Sequence, residues 1–548
     1  MTKYSLGIDF GTSSVRALLV NLETGDEAGH AEHAYELGHG GVLEDPSDPN
    51  LARQHPNEWL VGMAAVVPAV LRASGAAPAE VVGIGVDTTG STPLPVDRRL
   101  RPLCQDPRFA ERPEAWAWLW KDHTAHAEAK LVTELAQATR PHFLKRCGGI
   151  YSSEWYWAKA LRCAKVAPDV FAAAYGWVEC CDFVTAWLCG EEDPSKIRRS
   201  VCAAGHKAMS APEWGGMPDE AFLRELAPEL AELRRRLSPH EAPSDQVAGR
   251  LAEAAAQQLG LQAGTKVAVG AFDAHLGAVG AGIAVGDLVK VIGTSSCDMA
   301  IGSKAGGIPD VSGISGIVAD SIVPGYLGFE AGQSAVGDIY GWCAEQLGHN
   351  DHRTLTREAT KLRPGASGLL ALDWHNGNRC VLTDPELSGA LLGLNLQTRP
   401  AEIYRAMIEA TAFGAKMIVD RLVEKGIPIR RVIACGGIAQ KSPLVMQVHA
   451  DVLGVPIAVA ASSETCALGA AIMAACAAGE FADVATAQRA LVRPSNLVFS
   501  PDPAAVALYV RLFALYRLLH DAFGGVAPAS QLGGVMKELL RLRASRLT

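Results

Sequence analysis

Paired-cysteine motifs, aromatic side chains and an excess of basic charge are scarce or missing in this chain. Of its 548 residues 13 are cysteine, and none stands in a Cys-x-x-Cys pair, the spacing of many zinc and redox sites. Aromatic residues make up 6% of the sequence, and 50 Lys plus Arg against 59 Asp plus Glu give a net charge of −9. The odd cysteine count leaves a free thiol, so we expect a reducing cytoplasmic location. Without a basic excess we expect no nucleic-acid partner.

Long hydrophobic runs and two common nucleotide-binding motifs are missing as well. Apolar stretches such as residues 466–479 are too short and too rich in alanine to span a bilayer, so we expect no membrane partner. No segment matches G-x-x-x-x-G-K-[ST], which excludes a P-loop NTPase, and no G-x-G-x-x-G opens a helix after the first apolar run. Hydrophobic residues at 49% and charged residues at 20% indicate an ordinary globular protein with a small-molecule partner.

An internal repeat is the first positive feature. Residues 4–20 are an apolar run, a Gly-Thr-Ser-Ser turn and a second apolar run, and residues 288–301 repeat that order with the same turn. Each copy predicts a β-hairpin, and the repetition predicts two similar halves. Such turns can surround phosphate oxygens with N–H groups and hydroxyls, although two tight hairpins with polar tips are an alternative. The candidate phosphate-binding residues are Gly11, Thr12, Ser13, Gly293 and Thr294.

Two further apolar runs end in polar residues. Residues 81–90 run into a polar cluster that begins at Asp87, and residues 264–271 are followed by Asp273. Because α/β folds bind ligands at strand ends, both positions are candidates for a site. Asp273 is a candidate base. The alternative is that Asp273 only caps the helix that follows, a role that aspartate commonly fills.

The C-terminal half shows a helix, a strand and a glycine turn in succession. Apolar residues at three- and four-residue spacing predict a helix over 401–425, and residues 429–435 predict a strand. Gly436 and Gly437 then form a tight turn before a helix over 442–453. Such a turn can admit an adenine ring against the backbone, or it can be a compact connection only.

Taken in order along the chain, these segments resemble the FGGY family of carbohydrate kinases. The resemblance is carried by residues 9–12, 270–273, 293–294, 388–394 with 402–409, and 435–437. It implies an α/β fold of two actin-like ATPase (ribonuclease H-like) domains with the active site in the cleft between them. We expect residues 1–282 to hold the sugar site, the first phosphate loop and the catalytic aspartate, and residues 283–548 to bind the nucleotide.

Within that family, further segments are similar to the members that phosphorylate ribulose. They are residues 83–93, 119–124, 148–155, 204–207 and 329–334. Glycerol kinases of the family carry an Arg-Glu pair where this chain has Gly90-Ser91. The implied reaction is ATP-dependent phosphorylation of the terminal C5 hydroxyl of ribulose, above all L-ribulose, to ribulose 5-phosphate and ADP in L-arabinose catabolism. Alternatives are a kinase for D-ribulose or D-xylulose and a non-enzymatic actin-like regulator that senses sugar.

The resemblance also implies a role for each candidate residue. Asp273 would act as general base on the sugar hydroxyl, and Asp9 would hold Mg²⁺, through water. The sugar would contact Gly90, Lys207, Asp273 and Glu330. ATP would contact Gly11, Thr12, Ser13, Gly293, Thr294, Gly436 and Gly437. The expected partners are therefore a sugar and ATP, and the sequence leaves a homodimer open.

Overall fold

Two seven-stranded sheets, one from each half of the chain, form the centre of the structure. The computed structural model describes residues 2–348, 351–527, 532 and 535–544. The strands of the first half are β1 Tyr4–Phe10, β2 Ser14–Asn21, β3 Glu27–Ala34, β4 Leu43–Asp45, β5 Asp48–Gln54, β6 Val81–Thr88, β7 Pro93–Val96, β8 Ala117–Trp118, β9 Gly176–Glu179, β10 Arg199–Ser200, β11 Glu241–Ala242, β12 Val247–Arg250, β13 Lys266–Ala268 and β14 Ala271–Phe272. Those of the second half are β15 Asp287–Ile292, β16 Ser296–Ser303, β17 Gly316–Ala319, β18 Tyr326–Ala331, β19 Leu370–Leu372, β20 Ala390–Leu392, β21 Arg431–Cys435, β22 Ile457–Val459 and β23 Val498–Phe499.

Helices lie on and between these sheets. Those of the first half are α1 Pro56–Ser74, α2 His126–Thr139, α3 Pro141–Leu144, α4 Tyr156–Val166, α5 Pro168–Ala173, α6 Cys180–Cys189, α7 Val201–Lys207, α8 Glu220–Leu226, α9 Pro228–Arg236, α10 Glu253–Leu259 and α11 Asp273–Gly280. Those of the second half are α12 Gly337–Leu347, α13 His352–Thr360, α14 Pro400–Glu424, α15 Gly437–Lys441, α16 Pro443–Leu453, α17 Thr465–Ala478, α18 Val484–Leu491, α19 Pro503–Phe523 and α20 Val535–Ala544. Short 3₁₀ turns cover Pro78–Glu80, Leu103–Gln105, Pro113–Ala115 and Pro212–Trp214.

The two sheets have the same strand order and the same pairing directions. The first sheet runs β12-β13-β6-β1-β2-β3, and the second runs β23-β22-β21-β15-β16-β18 before the edge strand β17. In each, a hairpin pairs antiparallel and its first strand pairs parallel with the next strand inward, as β1 does with β6 and β15 with β21. The two predicted hairpins and the predicted duplication are therefore confirmed.

Helices α11 and α17 form a layer between the two sheets. Helix α17, from the second half, packs on β1 and β6, while α11, from the first half, packs on β15 and β16. Glycine makes this close approach possible, because a Cβ on Gly7 would lie 1.8 Å from the carbonyl oxygen of Ala467. A Cβ on Gly469 of α17 would lie 1.8 Å from the carbonyl oxygen of Leu276 on α11. The two halves thus meet through backbones in direct contact.

The helices predicted in the second half are present with small shifts at their ends. Helix α14 covers Pro400–Glu424, and α16 covers Pro443–Leu453 with Ser442 at its N-cap position. Within the described residues, no helix is both long enough and apolar enough to cross a membrane.

Candidate active site

Three aspartates meet where β1, β6 and β14 end. Asp9 and Asp87 stand opposite each other in the parallel pairing of β1 with β6. Asp273 directly follows β14, which also pairs with β6 next to Asp87. Asp9 is 5% exposed and Asp87 is fully buried. Because residues in register on neighbouring parallel strands point to the same face, the sheet itself brings the carboxyl groups of Asp9 and Asp87 together, and Asp273 follows the strand paired beside them.

Burial and mutual repulsion control the protonation of the three aspartates. Burial raises the pKa of Asp87 well above its usual value, and the nearby charges of Asp9 and Asp273 raise it further. Burial also raises the pKa of Asp9, against the opposing effect of Arg16, whose Nη1 lies 3.3 Å from Asp9 Oδ2. For Asp273, burial followed by the charge of Asp9 raises the pKa to about 7. Asp273 can therefore accept a proton near neutral pH.

Asp273 is the first residue of α11 rather than its cap. The N-cap position belongs to Phe272, and the Oδ1 of Asp273 accepts a hydrogen bond from the N–H of Ala274 at 2.6 Å. A capping aspartate would instead sit before the helix and accept from the second or third helical N–H. The N-cap alternative for Asp273 is therefore wrong.

Lys207 and Glu330, from opposite halves of the chain, form a buried ion pair beside Asp273. Lys207 Nζ donates to Glu330 Oε1 at 2.6 Å. Burial raises the pKa of Glu330, but Lys207 together with His206 and His275 outweighs burial and holds this pKa well below its usual range. Glu330 and Lys207 are also among the charges that act on Asp273. The site thus places a hydrogen-bond donor and an anionic acceptor next to the candidate base.

Gly90 forms part of the wall of this site. A Cβ on Gly90 would lie 2.0 Å from Cδ1 of Phe272, the residue before Asp273. The ring of Phe272 in turn has its centre 5.9 Å from Lys207 Nζ. Only glycine fits at position 90 with the Phe272 ring in this place.

The first candidate phosphate loop accepts hydrogen bonds from side chains elsewhere in the first half. The N–H of Gly11 donates back within the loop at 2.9 Å, and Ser13 is exposed at its tip. Gln54 Nε2 donates to the carbonyl oxygen of Thr12 at 2.9 Å. Trp120 Nε1 donates to the Thr12 hydroxyl at 2.9 Å. These bonds fix the Thr12 hydroxyl at the mouth of the loop.

The second candidate phosphate loop is held by the start of α12. The N–H of Gly293 donates within the loop at 2.9 Å, and two N–H groups at the start of α12 donate to the carbonyl oxygen of Thr294 at 2.8 and 3.1 Å. Gly436, with a φ of 92°, lies against the end of β15, since its Cβ would be 2.6 Å from the carbonyl oxygen of Ile292. Gly437 follows as the first residue of α15. The glycine turn therefore adjoins this loop.

Residues next to both loops interact electrostatically with Asp273. The first directly follows Asp9, whose charge acts on Asp273. The second is directly followed by Cys297, and burial raises the pKa of this thiol to about 12. Glu330 and Asp273 are among the charges that act on Cys297. Groups at both loops are thus close enough to Asp273 to interact with it.

A group of possible metal ligands lies at the aspartate cluster. Ligand atoms of Asp9, Asp87 and Cys466 lie within 4.8 Å of one another. Both carboxyl oxygens of Asp87 are without a hydrogen-bond partner in the described part of the chain, so either can coordinate a metal ion or accept a hydrogen bond from its water. Mg²⁺ prefers oxygen ligands and keeps much of its water, so the two carboxylates fit it and the thiol does not.

Three residues of the site were not singled out as site residues from the sequence. Asp87 was noted as the start of a polar cluster at a strand end, a candidate for a site, but it was given no role, and its pairing with Asp9 follows from the register of β1 with β6. His206 precedes Lys207, and His275 follows Asp273 by two residues, so proximity to predicted residues was the only sequence signal for them. The structure brings together Asp273, Asp9, Gly90, Lys207 and Glu330 of the predicted set, with the glycine turn at the second loop.

Comparison with known proteins agrees with this geometry. Models of the N-terminal and C-terminal domains of the FGGY family of carbohydrate kinases match residues 4–280 and 288–478. A ribulokinase of Vibrio parahaemolyticus is 43% identical, over 96% of this chain and 97% of that protein. The structure of a gluconate kinase from Lactobacillus acidophilus superposes with a TM-score of 0.79 at 18% identity, covering 96% of this chain and 99% of that one. The structure of a xylulose kinase from Rhodospirillum rubrum superposes with a TM-score of 0.75 at 25% identity, covering 95% of this chain and 100% of that one.

These matches span nearly the whole chain and agree with its repeated sheets. The predicted fold of two actin-like domains with a cleft between them is confirmed. The chain belongs to the FGGY family of carbohydrate kinases.

Proposed function

We propose that this kinase transfers the γ-phosphoryl group of ATP to the terminal C5 hydroxyl of ribulose, L-ribulose above all, and releases ribulose 5-phosphate and ADP. Relatives that are 41–43% identical over nearly their whole length are ribulokinases. The observation that carries the proposal is the placement of Asp273, with its pKa raised to about 7, beside the Lys207–Glu330 pair. The site thus combines a proton acceptor with a hydrogen-bond donor and a hydrogen-bond acceptor that suit a polyol.

The sugar is held by the Lys207–Glu330 pair. Lys207 donates hydrogen bonds and the anionic Glu330 accepts them, so together they match neighbouring hydroxyl and carbonyl groups of a ketopentose. Gly90, which has no side chain, makes room for the ring of Phe272, and this ring lines the site beside Lys207. In this position the chain-terminal hydroxyl faces Asp273.

The chemical step moves one proton and one phosphoryl group. Asp273 accepts the proton of the C5 hydroxyl while that oxygen bonds to the γ-phosphorus. The bond between the γ-phosphorus and the bridging oxygen breaks, and its electron pair leaves with ADP. The product is the phosphate ester, and the proton on Asp273 passes to solvent when the site reopens.

The phosphates lie between the two Gly-Thr-Ser-Ser loops in this proposal. Thr12 and Thr294 hold the β- and γ-phosphates, and Gly436 with Gly437 flanks the adenosine. Asp9 holds Mg²⁺ through water, and the ion offsets phosphate charge when bound. Asp87, beside Asp9, accepts hydrogen bonds from the same water shell.

The same proposal covers the organisation of the chain. We place a domain boundary at residue 282, between α11 and β15. Residues 1–282 supply the base and the first loop. Residues 283–548 supply the second loop and also Glu330, so the sugar site draws on both halves. Thirteen free cysteines support a reducing, cytoplasmic setting, and a homodimer stays a prediction.

A substrate panel tests the proposal. ADP release is measured in a coupled assay with Mg-ATP over glycerol, D-xylulose, D-ribulose and L-ribulose. We expect the highest kcat/KM on L-ribulose and a far lower one on glycerol, because Gly90-Ser91 replaces the Arg-Glu pair of glycerol kinases. Equal efficiency on glycerol, or a preference for D-xylulose over both enantiomers of ribulose, would contradict the assignment.

A further inference from the structure

A buried ion pair lies in the hairpin that carries the second Gly-Thr-Ser-Ser loop, and the reaction proposed above does not use it. Lys290 of β15 stands directly opposite Asp298 of β16. Lys290 Nζ lies 2.9 and 3.1 Å from the two carboxylate oxygens of Asp298. The two side chains are 1% and 0% exposed. Because a buried ion pair is stable only when its remaining donors are also hydrogen-bonded, the other partners of Lys290 matter.

The other N–H groups of Lys290 join the loop to the segment that follows β18. Lys290 Nζ donates to Ser296 Oγ, at the end of the loop, at 3.0 Å. It also donates to Gln333 Oε1 at 2.9 Å. An ammonium group has three donors, so Asp298, Ser296 and Gln333 use all of them. Lys290 therefore has no donor left for a phosphate group and can act on a nucleotide only through the loop.

The segment that begins at Gln333 holds the loop through backbone hydrogen bonds. The N–H of Ser296 donates to the carbonyl oxygen of Gln333 at 3.0 Å, and the N–H of Gln333 donates to Ser296 Oγ at 3.2 Å. A few residues on, the N–H groups of Val336 and Asp338 donate to the carbonyl oxygen of Thr294 at 2.8 and 3.1 Å. The position of this one segment thus sets the position of Thr294, the proposed phosphate contact.

The side chain of Gln333 is anchored on its far side in the core of the second half. Gln333 Nε2 donates to Asp373 Oδ2 and to the carbonyl oxygen of Thr411, both at 2.8 Å. The hydroxyl of Tyr516 in α19 donates to Asp373 Oδ1 at 2.7 Å. These acceptors require the amide nitrogen on their side, so the amide oxygen of Gln333 faces Lys290. A continuous hydrogen-bond network therefore leads from the loop to α14 and α19.

The first copy of the hairpin also has an ion pair across its strands, but that pair is accessible. Asp9 of β1 stands opposite Arg16 of β2, and the side chain of Arg16 is 36% exposed. Asp9 is also the residue proposed to hold Mg²⁺ through water. The Lys290–Asp298 pair is closed to ligands by burial, so its contribution to the second loop is support.

We propose that Lys290 is a positioning residue of the nucleotide site. It binds Ser296 and Gln333 together and so keeps the Thr294 hydroxyl and the loop N–H groups in place for the β- and γ-phosphates of ATP. None of its hydrogen-bond partners is a proposed sugar ligand, so the effect is confined to the nucleotide. The inference rests on the proposed function, which places the phosphates at this loop.

A double substitution separates positioning from a contribution to stability alone. Lys290→Met with Asp298→Val replaces the ion pair by apolar side chains, an exchange that is often neutral or stabilising in a protein core. In this variant Ser296 and Gln333 lose their common donor. We expect the Kd for a nonhydrolysable ATP analogue with Mg²⁺, measured by titration calorimetry, to rise about 10- to 100-fold. The sugar KM should stay within about twofold of wild type.

Two single substitutions accompany it. Ser296→Ala removes one hydroxyl and leaves the ion pair intact, and we expect the Kd for the analogue to rise about three- to tenfold. Tyr509→Phe is the matched control in the same half, because the Tyr509 hydroxyl joins Arg405 Nη2 at 2.7 Å and Glu409 Oε1 at 2.9 Å in another buried network. This control should lower Tm and keep the wild-type Kd.

The outcomes decide as follows. A folded double variant with the wild-type Kd would overturn the proposal, and so would an equal weakening in Tyr509→Phe or an equal rise in the sugar KM. If the double variant does not fold, Ser296→Ala with the wild-type Kd would overturn it.

Thr294→Val tests the loop itself. If it raises the Kd and the double variant does not, the positioning role of Lys290 is wrong and the proposed function stands. If neither raises the Kd, the loop does not hold the phosphates, and the proposed nucleotide site is wrong as well. The sugar KM is measured with the panel sugar that wild type uses best, so a failure of ribulose as substrate does not affect this test.

Discussion

Single residues decide the protonation of the site. Asp9 and Asp87 face each other in register, and burial of both raises their pKa values, so this pair is unfavourable with two full charges. Burial and then the charge of Asp9 raise the pKa of Asp273, and the charge of Glu330 raises it further, while Lys207 acts in the opposite direction. The outcome is a carboxyl group that changes its charge near neutral pH, which suits a general base.

The pH dependence of the reaction follows from this residue. Asp273 accepts a proton only when ionised, and its pKa is raised to about 7, so activity is lost as the pH falls through that value. We expect kcat/KM for the sugar to fall about tenfold per pH unit below it. The measurement is the pH profile of wild type and of Asp9→Asn. Removing the charge of Asp9 should move the acidic limb to lower pH, even though total activity drops. A profile that stays flat well below neutral pH would contradict the role of Asp273.

How far the sequence alone could locate these residues depends on the distance between them along the chain. Asp9 lies near the end of a predicted strand and Asp273 follows another, so their place at a sheet edge was predictable. The pairing of Asp87 with Asp9 needs the register between β1 and β6, which no local pattern contains. His206 meets Glu330 only because α7 docks on β17, a contact between the two halves.

At the scale of elements, the α11–α17 layer joins the two halves. The hairpins were predictable because a local pattern specifies them. The layer was not, because α17 is alanine-rich with little distinction between its faces and its partner helix is distant in sequence. Its close approach depends on glycines such as Gly469 and Gly280.

Gly469→Ala tests this packing. In an open helix, replacing Gly with Ala stabilises by about 1 kcal/mol. Here the added Cβ would lie 1.8 Å from the carbonyl oxygen of Leu276, and overpacking of that kind costs about 1–3 kcal/mol. We therefore expect a lower Tm and a smaller free energy of unfolding.

Gly341→Ala in α12 is the matched control. A Cβ on Gly341 meets no atom within 4 Å, so this variant should be stabilised by about 0.5–1 kcal/mol. Thermal unfolding of both variants provides the comparison. Equal stabilisation of the two would show that the α11–α17 contact tolerates a side chain.

At the scale of the whole molecule, duplication explains why the site lies in the cleft. Both sheets have the same strand order, so each half offers one Gly-Thr-Ser-Ser loop at the end of its hairpin. The repeat was visible in the sequence, and it agreed with the two-domain fold that the family resemblance implied. The joint use of Glu330 and Lys207 across the halves was not visible, since it depends on how the halves dock.

Nucleotide binding tests this arrangement. A crystal grown with Mg²⁺ and a nonhydrolysable ATP analogue should show the phosphates between residues 11–14 and 293–296, with Asp9 on the metal's water shell. We expect the cleft to be more closed when the sugar is also bound, because closure keeps water from the γ-phosphate. Phosphates bound away from both loops would reject the argument from the repeat.

A test of the role of Asp273 needs a variant that still folds. Asn preserves the shape of Asp and removes its charge. The folded-state pKa of Asp273 is raised from 3.8 to about 7, so the native state loses stability relative to the unfolded chain as pH rises between those values. The amide of Asp273→Asn does not ionise, so this variant does not lose stability over that pH range. It should therefore have a higher Tm than wild type at pH 8, and the difference should shrink toward pH 4.

The turnover of Asp273→Asn tests the central claim most directly. With saturating ribulose and Mg-ATP, and with sugar and nucleotide binding confirmed separately, kcat should fall about 10²- to 10⁴-fold, because no group remains in place to take the hydroxyl proton. A folded, ligand-binding Asp273→Asn enzyme with near wild-type kcat would contradict the account and remove Asp273 from the mechanism.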